Sequence, residues 1–189
     1  MSDQLINYLK EKIELSNADE EKIIAVSTTK QLRRKQYLLQ EGDVWKYYAF
    51  VSSGLLIQYS VDDKGVPHIS QFAPENHWTG DIYSLLYRVP SIFNIEAVEN
   101  SAITLIKYED FQHLCAEIST LNELVFSLLQ RSFAVAQNRI NTNISNTAEQ
   151  RYYEFIEKNP SIAARVPQHM IASYLGISPE TLTRIRKNK

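Results

Sequence analysis

The sequence predicts an α+β chain: a short helical cap, a body of short antiparallel strands, one long helix and a small helical C-terminal unit. Three observations carry this. Residues 31–108 hold short alternating apolar runs broken by turn residues. Helical 3–4 periodicity stands on both sides of that body. Gln168 to Lys187 carry the spacing of two helices meeting across a tight corner.

Leu5, Ile6, Leu9 and Ile13 lie at helical spacing. A second helix starts at Ser16 or Asn17, where Glu20 and Glu21 suit a helix N-terminus. From about Lys30 the period changes. The run QLRRKQYLLQEGD ends at Gly42-Asp43, WKYYAFVSSG at Gly54, and LLIQYSV turns through DDKG at Asp62–Gly65. HISQFA follows, then a loop ending at Gly80-Asp81. IFNIEAVEN and SAITLIKYE meet at Glu99-Asn100. Short strands at this spacing predict a β-sandwich or an antiparallel β-roll.

After Tyr108 the period is helical again. A short helix over 109–117 gives way to a long one from about 120 to 143, with Thr120 and Glu123 as a capping box. One apolar row runs through Leu121, Val125, Leu128, Ser132 and Val135, and a second through Leu124, Phe126, Leu129 and Phe133. A helix apolar on more than one face is covered on more than one side. One row covers the β-body, and the other predicts a homodimer packed in coiled-coil fashion. The interface is expected at Leu121, Val125, Leu128, Ser132 and Val135. NTNISN, 141–146, reads as a hinge, and Thr147 with Gln150 caps the next helix, which Asn159-Pro160 stops.

In the last segment Ile171, Leu175, Ile177, Leu182 and Ile185 are apolar, Ala172 is small enough for a close helix approach, and Gly176 supplies the corner. Ser178 can cap the second helix, with Pro179 at its first position. Glu180, Thr181, Thr183, Arg184 and Lys187 then face outward. This is a helix-turn-helix, and polar and cationic side chains on its second helix suit the major groove of double-stranded DNA. The charge distribution agrees: residues 139–189 carry eight Lys or Arg against four acids, a balance of +4, within a chain of net charge −2.

The chain has 189 residues and 44% apolar content, enough for one large domain or two small ones. Its single cysteine, Cys115, excludes disulfides within the chain and any four-cysteine cluster. The N-terminus has no apolar signal core, and no run is long enough to span a bilayer, so a cytoplasmic protein without a membrane role is expected. The four histidines show no metal-ligand spacing, and no nucleophile elbow, P-loop or paired-carboxylate motif is present. Neither an enzyme nor a metal site is expected.

The order of elements resembles the Crp/Fnr transcription regulators over nearly the whole chain. EGDVWKYYAFVSSGLLIQYSVDDKG looks like the first half of a cyclic-nucleotide-binding roll, TAEQRYYEFI like the first helix of the family's DNA-binding domain, and SPETLTRIRK like its recognition helix. The resemblance implies a double-stranded β-helix sensor roll with its helical cap over residues 1–118, a long dimerisation helix and hinge over 119–144, and a helix-turn-helix domain over 145–189. It implies base reading by a glutamate and an arginine four residues later, which are Glu180 and Arg184 here. Pro179 stands where the family often has a further arginine, so the preferred sequence should differ. Gln168, Ser178, Pro179, Thr181, Thr183 and Lys187 complete the expected DNA-binding set, with phosphate contacts continuing around Arg186 and Lys189.

The family's phosphate-binding cassette maps onto Gly80, Asp81, Ile82, Tyr83, Ser84, Arg88 and Ser91. Its Gly-acid pair is matched by Gly80-Asp81. Its Pro-Arg-Ser-Ala run is replaced by Pro90-Ser91-Ile92-Phe93, and Arg88 lies on the wrong side of Pro90. A small effector other than cyclic AMP, or none, is therefore expected. Three alternatives stand beside this: a cyclic AMP-responsive regulator of the same type, a ligand- or protein-interaction module that has lost DNA binding, and a cupin-like β-roll enzyme, which the lack of clustered strand ligands disfavours. RNA polymerase is a candidate partner if the chain activates transcription.

Overall fold

A computed structural model of the chain describes residues 3–187. Two helices come first, α1 (Asp3–Lys10) and α2 (Asn17–Val26). Ser16 caps α2 in a capping box with Asp19. The β-body contains β1 (Ser27–Leu32), β2 (Tyr37–Leu39), β3 (Tyr47–Ser53), β4 (Leu56–Val61), β5 (Pro67–Ala73), β6 (Trp78–Thr79), β7 (Asn94–Ala97) and β8 (Ser101–Lys107), with α3 (Ile82–Tyr87) inserted before β7. Two antiparallel four-stranded sheets result, in orders β1-β8-β3-β6 and β2-β7-β4-β5. Sequence neighbours β3 and β4 lie in different sheets, which makes the body a roll. Helices α4 (Tyr108–Glu117), α5 (Ser119–Ser145), α6 (Ala148–Lys158), α7 (Pro160–Arg165), α8 (Gln168–Leu175) and α9 (Pro179–Lys187) follow.

Three apolar cores explain the patterning. Ala49, Val51, Leu56, Ile95, Ile103 and Leu105 fill the interior between the sheets. Phe50 and Ile106 point the other way, into a second core with Leu5, Leu9, Phe111, Leu114 and Leu121. Ile57, Ile69 and Phe72 face a third, made with Tyr152, Phe155, Ile171, Leu175, Leu182 and Ile185 of the C-terminal helices. Strands covered on both faces read as near-continuous apolar runs rather than clean alternation. That accounts for YYAFV and AITLI in β3 and β8.

The structure corrects the expected dimer row. Leu121 is 2% exposed inside the chain's own core, and Val125 and Leu128 pack against the same core. Ser132 and Val135 continue that side of the helix past the end of the roll and are exposed. The row left in solvent is Phe126, Leu129, Phe133, Ile140 and Ile144, each more than half exposed. Its steps of three, four, seven and four residues are those of a coiled-coil seam. The two rows sit side by side on one helix, and only the position of the roll decides which is covered.

Other differences are local. Thr120 does not cap α5; the helix starts at Ser119 without a side-chain cap, and the Thr120 hydroxyl donates to the Glu14 carbonyl. The segment read as a hinge stays helical to Ser145, and the chain breaks only at Asn146–Thr147. Asn159-Pro160 ends α6, as expected, and Pro160 also opens a further short helix, α7.

Candidate nucleic-acid interface and sensor cassette

Helix α8 runs to a corner at Gly176, whose φ of 65° and ψ of 35° place it in the left-handed region. A Cβ there would meet nothing within 4 Å, so the constraint is backbone conformation and not crowding. The Gly176 N–H donates to the carbonyls of Ala172 and Ser173, and the Ile177 N–H to Ala172. These bonds close the end of α8 as a left-handed C-cap does. Ala172, fully buried, lets α9 approach.

Ser178 accepts a bond from the Thr181 N–H at 3.2 Å and donates to the Thr181 hydroxyl, so both residues serve the N-terminus of α9. The Thr183 hydroxyl donates to the Pro179 carbonyl one turn back. Leu182 and Ile185 are buried, while Pro179, Glu180, Thr183, Arg184, Arg186 and Lys187 are exposed. The Glu180 carboxyl is held below its ordinary value by its own backbone N–H and the Ser178 hydroxyl, so it is an ionised acceptor. Gln168, at the start of α8, is half-buried, and its Oε1 is buried without a partner. Lys189 lies outside the described residues.

The cassette residues come together around the start of α3. Asp81 caps α3, accepting from the N–H groups of Tyr83 and Ser84, and also accepts a 2.7 Å bond from the Ser91 hydroxyl. The Ser84 hydroxyl donates to the Val89 carbonyl and accepts from the Trp45 N–H. Asp81, Ser84 and Ser91 are all buried. At Gly80, with φ of 145°, a Cβ would lie 2.5 Å from the indole nitrogen of Trp45. Arg88 takes a left-handed backbone at the end of α3 and turns outward to pair with Glu109 over the Tyr108 ring. Ile82 and Tyr83 are exposed, beside Leu86 and Tyr87. The cassette's polar groups therefore satisfy one another, and its one cation faces α4. Among the described residues no group of three or more His, Cys, Asp or Glu could hold a metal, and no helix is long and apolar enough to cross a membrane.

The structure adds residues that no motif announced. Arg165 of α7 forks onto Glu75 at 2.8 and 2.9 Å and also bonds Glu99. Arg139 of α5 donates to the carbonyls of Ser70 and Tyr174 and lies 4.1 Å from the Tyr174 ring. Their partners are 35 to 90 residues away in sequence, so no spacing rule could have found them.

The ion pair holds the Glu75 carboxyl below its ordinary value of 4.5, chiefly through the Arg165 hydrogen bonds. A group whose folded pKa is depressed contributes stability that is fully present above its unfolded value. That contribution is lost as pH falls through the lowered folded value. Melting temperature measured from neutral pH into this acid range should fall less steeply for Glu75→Gln than for the parent.

No protein-family model matches the chain. Among curated proteins, it is 22% identical to the regulatory protein HlyX of Actinobacillus pleuropneumoniae over 173 residues, covering 85% of this chain and 70% of that one. It is also 22% identical to the transcriptional activator protein Anr of Pseudomonas aeruginosa, with 85% and 69% covered. Among solved structures, FixK2 from Bradyrhizobium japonicum superposes with a TM-score of 0.74 at 17% identity, over 86% of this chain and 84% of that one. A putative regulator of the Crp/Fnr family from Eubacterium rectale gives 0.72 at 19% identity, over 96% and 87%. The roll, long helix and helix-turn-helix are arranged as in these Crp/Fnr-type structures, and in sequence the chain is similar, at 22% identity, to transcription regulators of that type.

Proposed function

We propose that the chain acts in the cytoplasm, without enzymatic activity, as a homodimeric DNA-binding transcription regulator on a pseudo-palindromic site. The observation that carries this reading is the outer face of α9, where Glu180, Thr183, Arg184 and Lys187 are exposed over buried Leu182 and Ile185. Two such helices enter successive major grooves about 34 Å apart. Arg184 reads guanine and Glu180 accepts from the cytosine amino group. Lys187, Arg186 and the α8 start at Gln168 face phosphates, while Ser178 and Thr181 hold the helix end that presents them. The copies join along Phe126, Leu129, Phe133, Ile140 and Ile144. The cassette binds no cyclic AMP, because Arg88 is turned to Glu109 and Asp81 already holds Ser91.

Arg184→Ala should cost about 1–3 kcal/mol of specific binding, while Lys187→Ala should weaken all duplexes alike and lower the salt slope by about one. Titrations on selected and random duplexes check both. Equal losses on the two duplexes for Arg184→Ala would remove its base-reading role.

A further inference from the structure

The head formed by α6 to α9 is held on the roll from two sides. On one side stands Arg139. It belongs to the long helix, yet it donates to the Ser70 carbonyl of β5 and, at 3.0 Å, to the Tyr174 carbonyl of α8. One side chain thus ties together the dimerisation helix, the roll and the helix-turn-helix. On the other side, Arg165 grips Glu75 and Glu99, from the loops after β5 and β7. Glu75 is itself fixed by the Gly54 N–H at 2.9 Å. In a third contact, the Ser173 hydroxyl donates to the Pro67 carbonyl at 2.7 Å and accepts from the Ile69 N–H at 3.0 Å. The reading face of α9 stays exposed throughout, so docking does not cover it.

We propose that Arg139 and Arg165 are positioning residues that lock the head to the long helix and the roll, so that a pair of heads accepts only one half-site spacing. This rests on the dimeric DNA-binding reading above. A head free to swing at Asn146–Thr147 would tolerate several spacings. A head held at Arg139 and Arg165 cannot turn about that break while both contacts stand. Neither arginine belongs to the reading helix, so their loss should change how two heads cooperate and not how one head reads its half-site.

The test uses the full chain and three duplexes: a site enriched from a random pool, the same site with one base pair inserted between its halves, and a single half-site. The parent should lose about tenfold or more on the insertion, because simultaneous engagement is forbidden. Arg165→Met and Arg139→Met should bind the first two duplexes nearly alike, with half-site affinity unchanged. Arg165→Lys, which keeps the charge but not the fork, should restore part of the discrimination. Fluorescence of Trp45 and Trp78, both in the roll, reports that the variants fold. Variants that keep the parent's spacing discrimination, or that bind the selected site more tightly, would overturn the proposal. Trypsin cleavage at Arg151 without DNA gives a second reading, expected to be about tenfold faster in Arg165→Met. Equal rates would overturn the lock even if the parent bound no duplex, a separate result that would count against the DNA-binding reading.

Discussion

Phe133→Asp should leave the protein monomeric at concentrations where the parent is a dimer, with its melting temperature nearly unchanged. Phe133 is 65% exposed in the single chain, so the substitution removes no contact that folds the monomer. In the paired state each Phe burial contributes about 1.5–3 kcal/mol, and two-fold symmetry loses it twice. The new carboxylates would also face each other across the seam in a water-poor interface, which costs several kcal/mol more. Affinity for a two-half-site duplex should drop by about 100-fold or more, since each head then binds alone. Leu121→Ala should behave in the opposite way, lowering stability through a core cavity while leaving assembly intact. Sedimentation with melting curves separates the two. A Phe133→Asp protein that stayed dimeric would mean that another surface pairs the copies.

Phe72→Ala should be the most damaging single truncation at the joint of roll and head. Phe72 is 7% exposed and sits in β5 with its ring centroid 5.9 Å from Phe155 and 5.1 Å from Tyr174. Truncating a buried Phe costs about 3–5 kcal/mol, from lost transfer energy and the cavity left behind. The loss falls on a core shared by two units, so the C-terminal helices should exchange amide protons much faster than β3 and β8. Native-state hydrogen exchange would show this. Uniform acceleration across the chain would mean that roll and head unfold as one unit.

Much of this architecture is legible in the sequence because it is written in local signals. The Gly176 corner and the alternation of buried and exposed positions in α9 follow from short-range spacing. So does the Thr147–Gln150 capping box, which the structure forms with both of its bonds. The strands were findable as segments, but their assignment to faces was not, because β3, β4 and β8 are covered on both sides. The same ambiguity hides which positions of α5 the chain itself covers, Leu121, Leu124, Val125 and Leu128. One hint was available: the outward row continues apolar to Ile144, whereas the inward row meets Ser132 and Arg139. The shared core was not legible, because Ile57, Ile69 and Phe72 pair with Phe155 and Ile171 across about a hundred residues. In the cassette, the Gly80-Asp81 pair was visible, but nothing local indicated that Ser91 would bond Asp81 or that Arg88 would leave for Glu109.

Selection of duplexes from a random-sequence pool by the full chain addresses the proposed function most directly. Enrichment of a two-fold symmetric site is expected, with half-sites about 10 base pairs apart centre to centre and a guanine or cytosine in each half whose preference disappears in Arg184→Ala. A pool that stays random, or one enriched only in unpaired half-sites, would contradict a paired, base-reading regulator.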